Sequence, residues 1–485
     1  MWTLNSLKRL VKDQFKDYNL IVVSFREPYQ HYVSNGKILA RRTPGGVGAS
    51  LDLVMQATGG TWAAIGNGET DKKVVDVDDK VGLPPKNPKY QLKRIWLTNQ
   101  EINDFYFGFS NQTLWPLCHI VYVRPTFDEK YWQAYKKVNE KFAEIILKEV
   151  GSKKALIWVQ DYQFALLPKL LKEKNPKIKV AQFWHIPWPT YEIFRTCPWG
   201  REILQGLLGN DLLGFHRNYH INNFLNSIER SFEARVNRED SYVRYHGRRT
   251  YIRSFPIGTD YNLFAGTAKK IRERISPFIK NVVKSPYKHL AVSVDRIDYT
   301  KGILERLDSI DRFLEKYPKY QKKFVYVGLG ATSREKIPQY RQLRKDVYNR
   351  IDKINRKYKK GTWVPIYFIE EKLNFRDIVS FYKSGDLCLV NSLDDGMNLA
   401  SFEYVASCRP EGVLMLSKFA GASKGLTEAV MINPYNIEQT ADKIKLALEM
   451  PRKQKIERMQ ILKRSAAENN VFQWAGTFLE ELLKI

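Results

Sequence analysis

Ala291-Val292-Ser293-Val294-Asp295-Arg296-Ile297-Asp298-Tyr299-Thr300-Lys301-Gly302 runs from a short apolar stretch into a turn that carries two cations and a glycine. Further on, Leu387-Cys388-Leu389-Val390 precedes Asp394-Asp395-Gly396-Met397-Asn398-Leu399, and a helix-like stretch through Glu403 follows. Both read as a buried strand, a glycine-containing turn and then a helix. That order is how an α/β protein offers free backbone N–H groups to a phosphate. The spacing Arg296-x4-Lys301 supplies two cations that would neutralise a diphosphate. Asp395-x7-Glu403 puts a carboxylate one or two turns into the helix, where it could hold ribose hydroxyls. The combination suggests a sugar-nucleotide site.

Working outward, the second half of the chain shows strand-like runs at 289–294, 323–327, 365–369, 387–390 and 413–417, alternating with helices. An earlier series begins with Leu20–Ser24 and recurs at 155–159, 178–184 and 212–215, with helical patterns such as 164–174 between the later ones. This alternation implies βαβ units, parallel sheets and an α/β fold. The turn-rich Phe255-Pro256-Ile257-Gly258-Thr259-Asp260 separates the two series and marks a domain boundary. The predicted organisation is an amphipathic extension (1–18), a first domain (19–257), a second domain (258–468) and a C-terminal helix (469–485). That helix carries Val471, Trp474, Phe478 and Leu482 on one face and is expected to cross back to the first domain. The extension has Leu7, Leu10, Val11 and Phe15 on one side, and either docks on the body or meets a membrane surface or partner. The polar stretch from Asn67 to Pro88 reads as a surface excursion.

Composition narrows the class. The chain has 485 residues, 44% of them hydrophobic and 13% aromatic, which suits two or three globular domains. No apolar run reaches the roughly 18–20 residues that span a bilayer. The N-terminus opens no long apolar signal region, so a cytoplasmic location is expected. Cys118, Cys197, Cys388 and Cys408 lie far apart and fit reduced thiols better than a disulfide frame or a zinc site. The net charge of +27 admits nucleic acid, acidic membrane or phosphorylated small molecules as partners. Residues 341–360 hold nine basic and two acidic residues, yet Leu343, Val347, Ile351, Ile354 and Tyr358 form an apolar stripe through them. This segment reads as the solvated face of an amphipathic helix, and no nucleic-acid partner is expected.

Several polar positions carry two readings each. Thr43-Pro44-Gly45-Gly46-Val47-Gly48, after a long loop, either brings a helix N-terminus close to a phosphate or sugar or is an ordinary turn. His185 follows a strand and precedes two prolines, so it either faces the ligand crevice or is a core histidine. Asp161 grips a hydroxyl or caps a helix. Arg26 meets an anionic ligand or a surface carboxylate. His216 and His220 lack the glutamate of a zincin helix. Asp395 and Glu403 are separated by roughly 12 Å of helical rise, too far for the 5–5.5 Å of a retaining hydrolase pair.

With these pieces placed, the chain resembles the trehalose-6-phosphate synthase family of retaining glycosyltransferases, family 20, from about residue 20 to the C-terminus. Val294–Gly302 looks like the family's V-x-R-x-D-Y-[ST]-K-G. Asp395–Leu399 with Glu403-Tyr404 looks like its D-G-M-N-L-x3-E-Y. Ser417–Ala422, Asn433-Pro434-Tyr435, Phe109-Ser110-Asn111 with Leu114-Trp115-Pro116, and His185-Ile186-Pro187 also match. The chain departs from the pattern at Ser24-Phe25-Arg26-Glu27-Pro28-Tyr29 and at Gln160-Asp161-Tyr162-Gln163. An R-E-P-Y start is similar to glucosylglycerol-phosphate synthases, which use glycerol 3-phosphate.

The resemblance implies the GT-B fold, two Rossmann-like domains with the active site in the cleft between them. It implies that Arg296 and Lys301 bind the donor diphosphate, aided by backbone amides from Gly396, Met397, Asn398 and Leu399. Glu403 would hold the ribose, Asp395 and His185 the transferred glucose, and Gly46 would sit near the donor. Arg26, Tyr106 and Arg334 would meet the acceptor phosphate, with Trp115 and Asp161 on the acceptor sugar. The expected activity moves glucose with retention from a nucleoside-diphosphate glucose, UDP-glucose first among them, to glucose 6-phosphate, giving trehalose 6-phosphate. Three rivals stand: glycerol 3-phosphate or another polyol phosphate as acceptor, an inactive relative that binds sugar phosphates, and a basic nucleic-acid-binding protein, which a salt-sensitive shift with DNA would support. No cofactor or metal is expected, and a homo-oligomer is left open.

Overall fold

The computed structural model describes residues 2–43, 46–152 and 154–485. The chain divides into two compact units, Met1–Ile257 together with Val471–Ile485, and Gly258–Asn470.

The first unit holds β1 (Asn19–Arg26), β2 (Tyr29–Ser34), β3 (Lys37–Arg42), β4 (Thr61–Ile65), β5 (Lys80–Leu83), β6 (Tyr90–Ile95), β7 (Ala155–Gln160), β8 (Lys179–Phe183), β9 (Leu212–Phe215), β10 (Arg235–Asn237), β11 (Tyr242–Tyr245) and β12 (Arg248–Ser254). Ten of these form one sheet in the order β10-β11-β12-β9-β8-β7-β1-β4-β6-β5. From β12 to β6 every neighbour is parallel, and β10, β11 and β5 close the edges antiparallel. Strands of such a sheet are covered on both faces, which is why β7 is apolar from Ala155 to Val159 and buried throughout. The chain winds from β1 through β4 to β6, then returns to β7 on the other side of β1. This reversal is the Rossmann-like switch point, and the crevice beyond it lies at the carboxyl ends of β1 and β7.

The second unit repeats the plan with β13 (His289–Arg296), β14 (Phe324–Ala331), β15 (Ile366–Ile369), β16 (Leu387–Val390), β17 (Val413–Ser417) and β18 (Val430–Ile432). Their order is β15-β14-β13-β16-β17-β18, all parallel. Its switch point falls between β13 and β16, so the 291–302 and 387–399 stretches end at one crevice. On the 338–358 helix, Val347, Ile351, Ile354 and Tyr358 are buried. Arg344 and Lys357 on its outer side pair with Glu370 and Asp311.

The C-terminal Val471–Lys484 helix belongs to the first unit. Trp474 and Phe478 pack on Trp158 with ring centroids 5.1 and 4.9 Å away. Gly476 lies so close to Trp2 that an added Cβ would fall 2.2 Å from its indole. The Leu4–Gln14 helix starts with a capping box between Thr3 and Ser6, buries Leu7 and Leu10, and packs on the 46–58 and 471–484 helices. The amphipathic extension is thus docked on the body.

Two local expectations are corrected. The segment before Thr43 is not a loop: β2 and β3 form an antiparallel hairpin turned by Asn35-Gly36, both at positive φ, the pairing that favours a two-residue turn. The stretch 67–88 is not merely surface, since β5 pairs with β6 and Asp71 is fully buried. The strands β4 and β6 went unread because they are short and β6 carries Lys93 and Arg94. Arg94 is tolerated at 1% exposure because Glu27 and Asp71 both bind it.

Candidate active site

In the second unit the turn after β13 is pinned to the segment after β16. Gly302 sits at φ +59°, and a Cβ there would fall 2.1 Å from the Asn391 carbonyl oxygen, so a glycine is required for the approach. The Leu393 amide donates to the Thr300 carbonyl at 2.8 Å. This junction sets Lys301 against Asp395, with both side chains less than 15% exposed and in direct ionic contact. Asp395 also accepts from the side chains of Ser392 (3.3 Å) and Asn398 (3.2 Å).

Asn398 stands at φ +79° and caps the Leu399–Ser407 helix, accepting from the Ser401 amide at 3.1 Å. The 419–422 segment fixes the backbone beside it. The Gly421 amide donates to the Asp395 carbonyl at 2.9 Å, and the Ala422 amide to the Met397 carbonyl at 2.8 Å. Gly396, Met397 and Leu399 are thereby held at a helix N-terminus beside Lys301, a place suited to an anion.

Arg296, more than a third exposed, lies 3.4 Å from the buried Asp298. Asp298 accepts from the Thr300 amide and hydroxyl at 3.1 Å and from the buried Arg334 at 3.0 Å. Burial favours its neutral form, but the charges of Arg334, Arg296 and Lys301 and the Thr300 amide outweigh this and lower its pKa. Asp298 thus orients two of the predicted cations. The sequence reading gave it no role, although Asp298-x-Thr300 carries the signal of a side chain closing its own turn. Beneath them Arg306 is buried and bonds Asp295, Ser293 and Tyr326 at 2.6, 2.6 and 3.1 Å. Nothing local marks that residue, whose partners lie on neighbouring strands. Glu403 is one turn into the helix and accepts from Tyr382 at 3.0 Å. Burial raises its pKa, and the Tyr382 hydrogen bond opposes that.

In the first unit, Arg26 is exposed at the end of β1 and donates to the Tyr106 hydroxyl at 2.9 Å. Phe25 stacks on Tyr106 at 4.1 Å. Tyr106 and Trp115 lie in and just after a wide π-helical stretch (Ile102–Leu114), in which the Trp115 amide reaches back to Ser110. The sequence signals did not mark this π-helix, but they did mark its residues. Asn111 donates to the Tyr106 carbonyl at 2.6 Å and accepts from the Tyr162 hydroxyl at 2.9 Å. The Tyr162 ring lies 5.8 Å from that of Trp115. Asp161 follows β7 in a strained conformation, φ +70°, and accepts from the His185 amide at 3.2 Å. His185 is buried, and burial lowers its pKa to about 3, so the imidazole is neutral at working pH. It can bond a ligand but cannot serve as a standing proton store. Gly46 opens the 46–58 helix, while Pro44 and Gly45 lie outside the described residues.

Of the predicted residues, one crevice collects Arg296, Lys301, Arg334, Asp395 and the 396–399 backbone. Arg26 meets Tyr106, and Asp161 meets His185. A groove of about 830 Å³ lined by Tyr317, Leu446, Glu449 and Arg458 shares none of them.

The model for Glycosyltransferase family 20 matches residues 18–484. The trehalose-6-phosphate synthase of Mycobacterium marinum is 35% identical over 480 residues, 96% of this chain and 94% of that protein. The UDP-forming alpha,alpha-trehalose-phosphate synthase of Pichia angusta is 35% identical over 406 residues, 82% of this chain and 84% of that one. Among solved structures, the trehalose-6-phosphate protein from E. coli bound with UDP-2-fluoro glucose superposes with a TM-score of 0.85 at 28% identity, covering 96% of this chain and 99% of that one. The synthase from Burkholderia xenovorans in complex with glucose-6-phosphate gives 0.85 at 27% identity, with the same two coverages.

Proposed function

The chain belongs to glycosyltransferase family 20, and on that premise we propose that it transfers glucose, with retention, from UDP-glucose to glucose 6-phosphate, giving α,α-trehalose 6-phosphate. The observation that carries this reading is the switch-point cluster of the second unit. There two cations, Lys301 and Arg296, are each oriented by a carboxylate beside a helix N-terminus.

The acceptor hydroxyl oxygen forms a bond to the anomeric carbon as the bond from that carbon to the diphosphate breaks. The hydroxyl proton passes to the departing phosphate oxygen on the same face. Negative charge then grows on the diphosphate, and fixed cations stabilise it more in the transition state than before it. Lys301 and the amides from Gly396 to Leu399 serve that charge, with Arg296 beside them. Asp395, already facing Lys301, accepts from a glucose hydroxyl, and Glu403 from the ribose. No metal is assigned to the leaving group. In the first unit, Arg26 and Tyr106 take the acceptor phosphate, and Trp115 and Asp161 its sugar. Four separate buried thiols suit a reducing compartment, the cytoplasm.

The same chemistry with glycerol 3-phosphate is the second reading, favoured by the Arg26-Glu27-Pro28-Tyr29 run. A matrix of UDP-, GDP- and ADP-glucose against glucose 6-phosphate and glycerol 3-phosphate, with product anomers read by NMR, tests both. Turnover confined to glycerol 3-phosphate would overturn the acceptor assignment, and an inverted anomer would overturn retention.

A further inference from the structure

The carboxyl ends of β7 and β8 carry a second polar arrangement that the charge chemistry does not use. Gln160 closes β7 at 1% exposure, and His185 follows β8 at 8%. Their side chains meet, the Gln160 amide oxygen lying 2.9 Å from His185 Nε2. With the Gln160 amide oriented this way its oxygen only accepts, so Nε2 carries the proton and Nδ1 keeps its lone pair. Two buried atoms are then left without a partner among the described residues, His185 Nδ1 and Gln160 Nε2. Orphaned buried polar atoms are costly, and each calls for a completing partner, a water, an ion or a ligand. One is an acceptor and the other a donor. A hydroxyl, which donates and accepts, satisfies that pair. A phosphate oxygen, which only accepts, leaves Nδ1 unmet.

We propose that Gln160 is a positioning residue that fixes the proton of His185 on Nε2, so that Nδ1 stands as a neutral acceptor for a hydroxyl of the transferred glucose. This deepens the glucosyltransfer reading and rests on it for the identity of the sugar. The surroundings keep the ring neutral. Phe183 and Trp474 pack on it with centroids 4.6 and 5.8 Å away, and the buried His216 ring is 5.5 Å away. The charged neighbours are Asp161, which takes the His185 amide, and Arg217, which adjoins His216. Burial pushes the imidazoles of His185 and His216 down, and no carboxylate meets the His185 ring nitrogens among the described residues.

The test uses the full-length protein with ring-15N histidine. The His185 signal among the seven histidines is identified by its loss in His185→Asn. The expected result is a neutral ring protonated on Nε2 from pH 5 to pH 8. A proton on Nδ1, or a titration near the ordinary histidine value, overturns the proposal without any appeal to activity. Gln160→Glu replaces the amide with a carboxylate and should let the ring protonate, making turnover fall as pH drops toward 6. A flat profile over that range counts against the proposal. Gln160→Leu should raise the KM for UDP-glucose about 3- to 10-fold, the worth of one hydrogen bond, and leave the inhibition constant of UDP, which has no glucose, unchanged. Equal loss for UDP and UDP-glucose would mean a merely structural role. If the wild type transfers no nucleotide-linked glucose, the functional reading fails while the ring-nitrogen measurement still decides the tautomer.

Discussion

Lys301→Met is the sharpest perturbation, because Lys301 has an ion-pair partner in the structure and a second, separable duty in the proposed mechanism. One duty is to neutralise Asp395, its direct ionic partner 94 residues away. The other is to stabilise charge on the leaving diphosphate. If the second duty dominates, removing the ammonium should lower kcat by about 10²–10³, or about 2.7–4 kcal/mol of transition-state stabilisation. The first duty should appear in stability. Both side chains are less than 15% exposed, so a cycle with Asp395→Asn should give a coupling of about 0.5–3 kcal/mol in urea unfolding. The two duties separate in the double variant. A neutral amide in place of the carboxylate no longer needs a cation, so the stability loss is partly recovered, whereas turnover is not. The assay is UDP release from UDP-glucose with saturating glucose 6-phosphate, beside equilibrium unfolding of the four proteins. Turnover regained in the double variant, or a single-variant loss below about 5-fold, would refute the claim that Lys301 acts on the leaving group.

Arg334→Ala should raise the KM for phosphorylated acceptors and spare donor affinity. It also strips the buried Asp298 of a 3.0 Å partner, so urea unfolding should show a loss of about 3–5 kcal/mol, and unchanged stability would contradict the network. Glu27 supplies a pH dependence: burial, a hydrogen bond with Asp71 and the Asp71 charge raise its pKa from 4.5 to about 8 against the pull of Arg94. The native state therefore holds a proton that the unfolded chain releases, so stability should fall as pH rises from about 4.5 through 8. Glu27→Gln should flatten that slope in urea midpoints taken at several pH values, and an unaltered slope would clear Glu27 of the effect. EDTA should leave turnover unchanged, because the proposed mechanism gives the diphosphate charge to Lys301, Arg296 and backbone amides; loss on chelation with recovery on added Mg²⁺ would show a metal at work.

Much of this architecture is legible in local pattern. Each strand of the second sheet from β13 to β17 announces itself as a short apolar run, because a parallel strand covered on both faces has no solvent side to make polar. The Arg296–Lys301 and Asp395–Leu399 turns are equally plain, since glycine and an N-capping asparagine mark where a backbone must bend. The strands β4 and β6 were missed because they are short and because the charges on β6 are hidden: Lys93 and Arg94 read as surface until Glu27 and Asp71 are seen beside Arg94. The β2–β3 hairpin was missed although Asn35-Gly36 signals it, because β3 is mostly exposed and ends in two arginines.

Sequence alone determined two series of parallel strands alternating with helices, the family they resemble and the residue types at the strand ends it marked. These depend on periodicity and turn chemistry, which act over a few residues. Tertiary structure decided the partners: Lys301 with Asp395, Arg334 with Asp298, His185 with Gln160. It also decided the charge states, a neutral His185 and an ionised Asp298. Partner choice joins positions far apart in the chain, and a charge state follows from the water and the charges around the group. Neither quantity exists until the chain has folded.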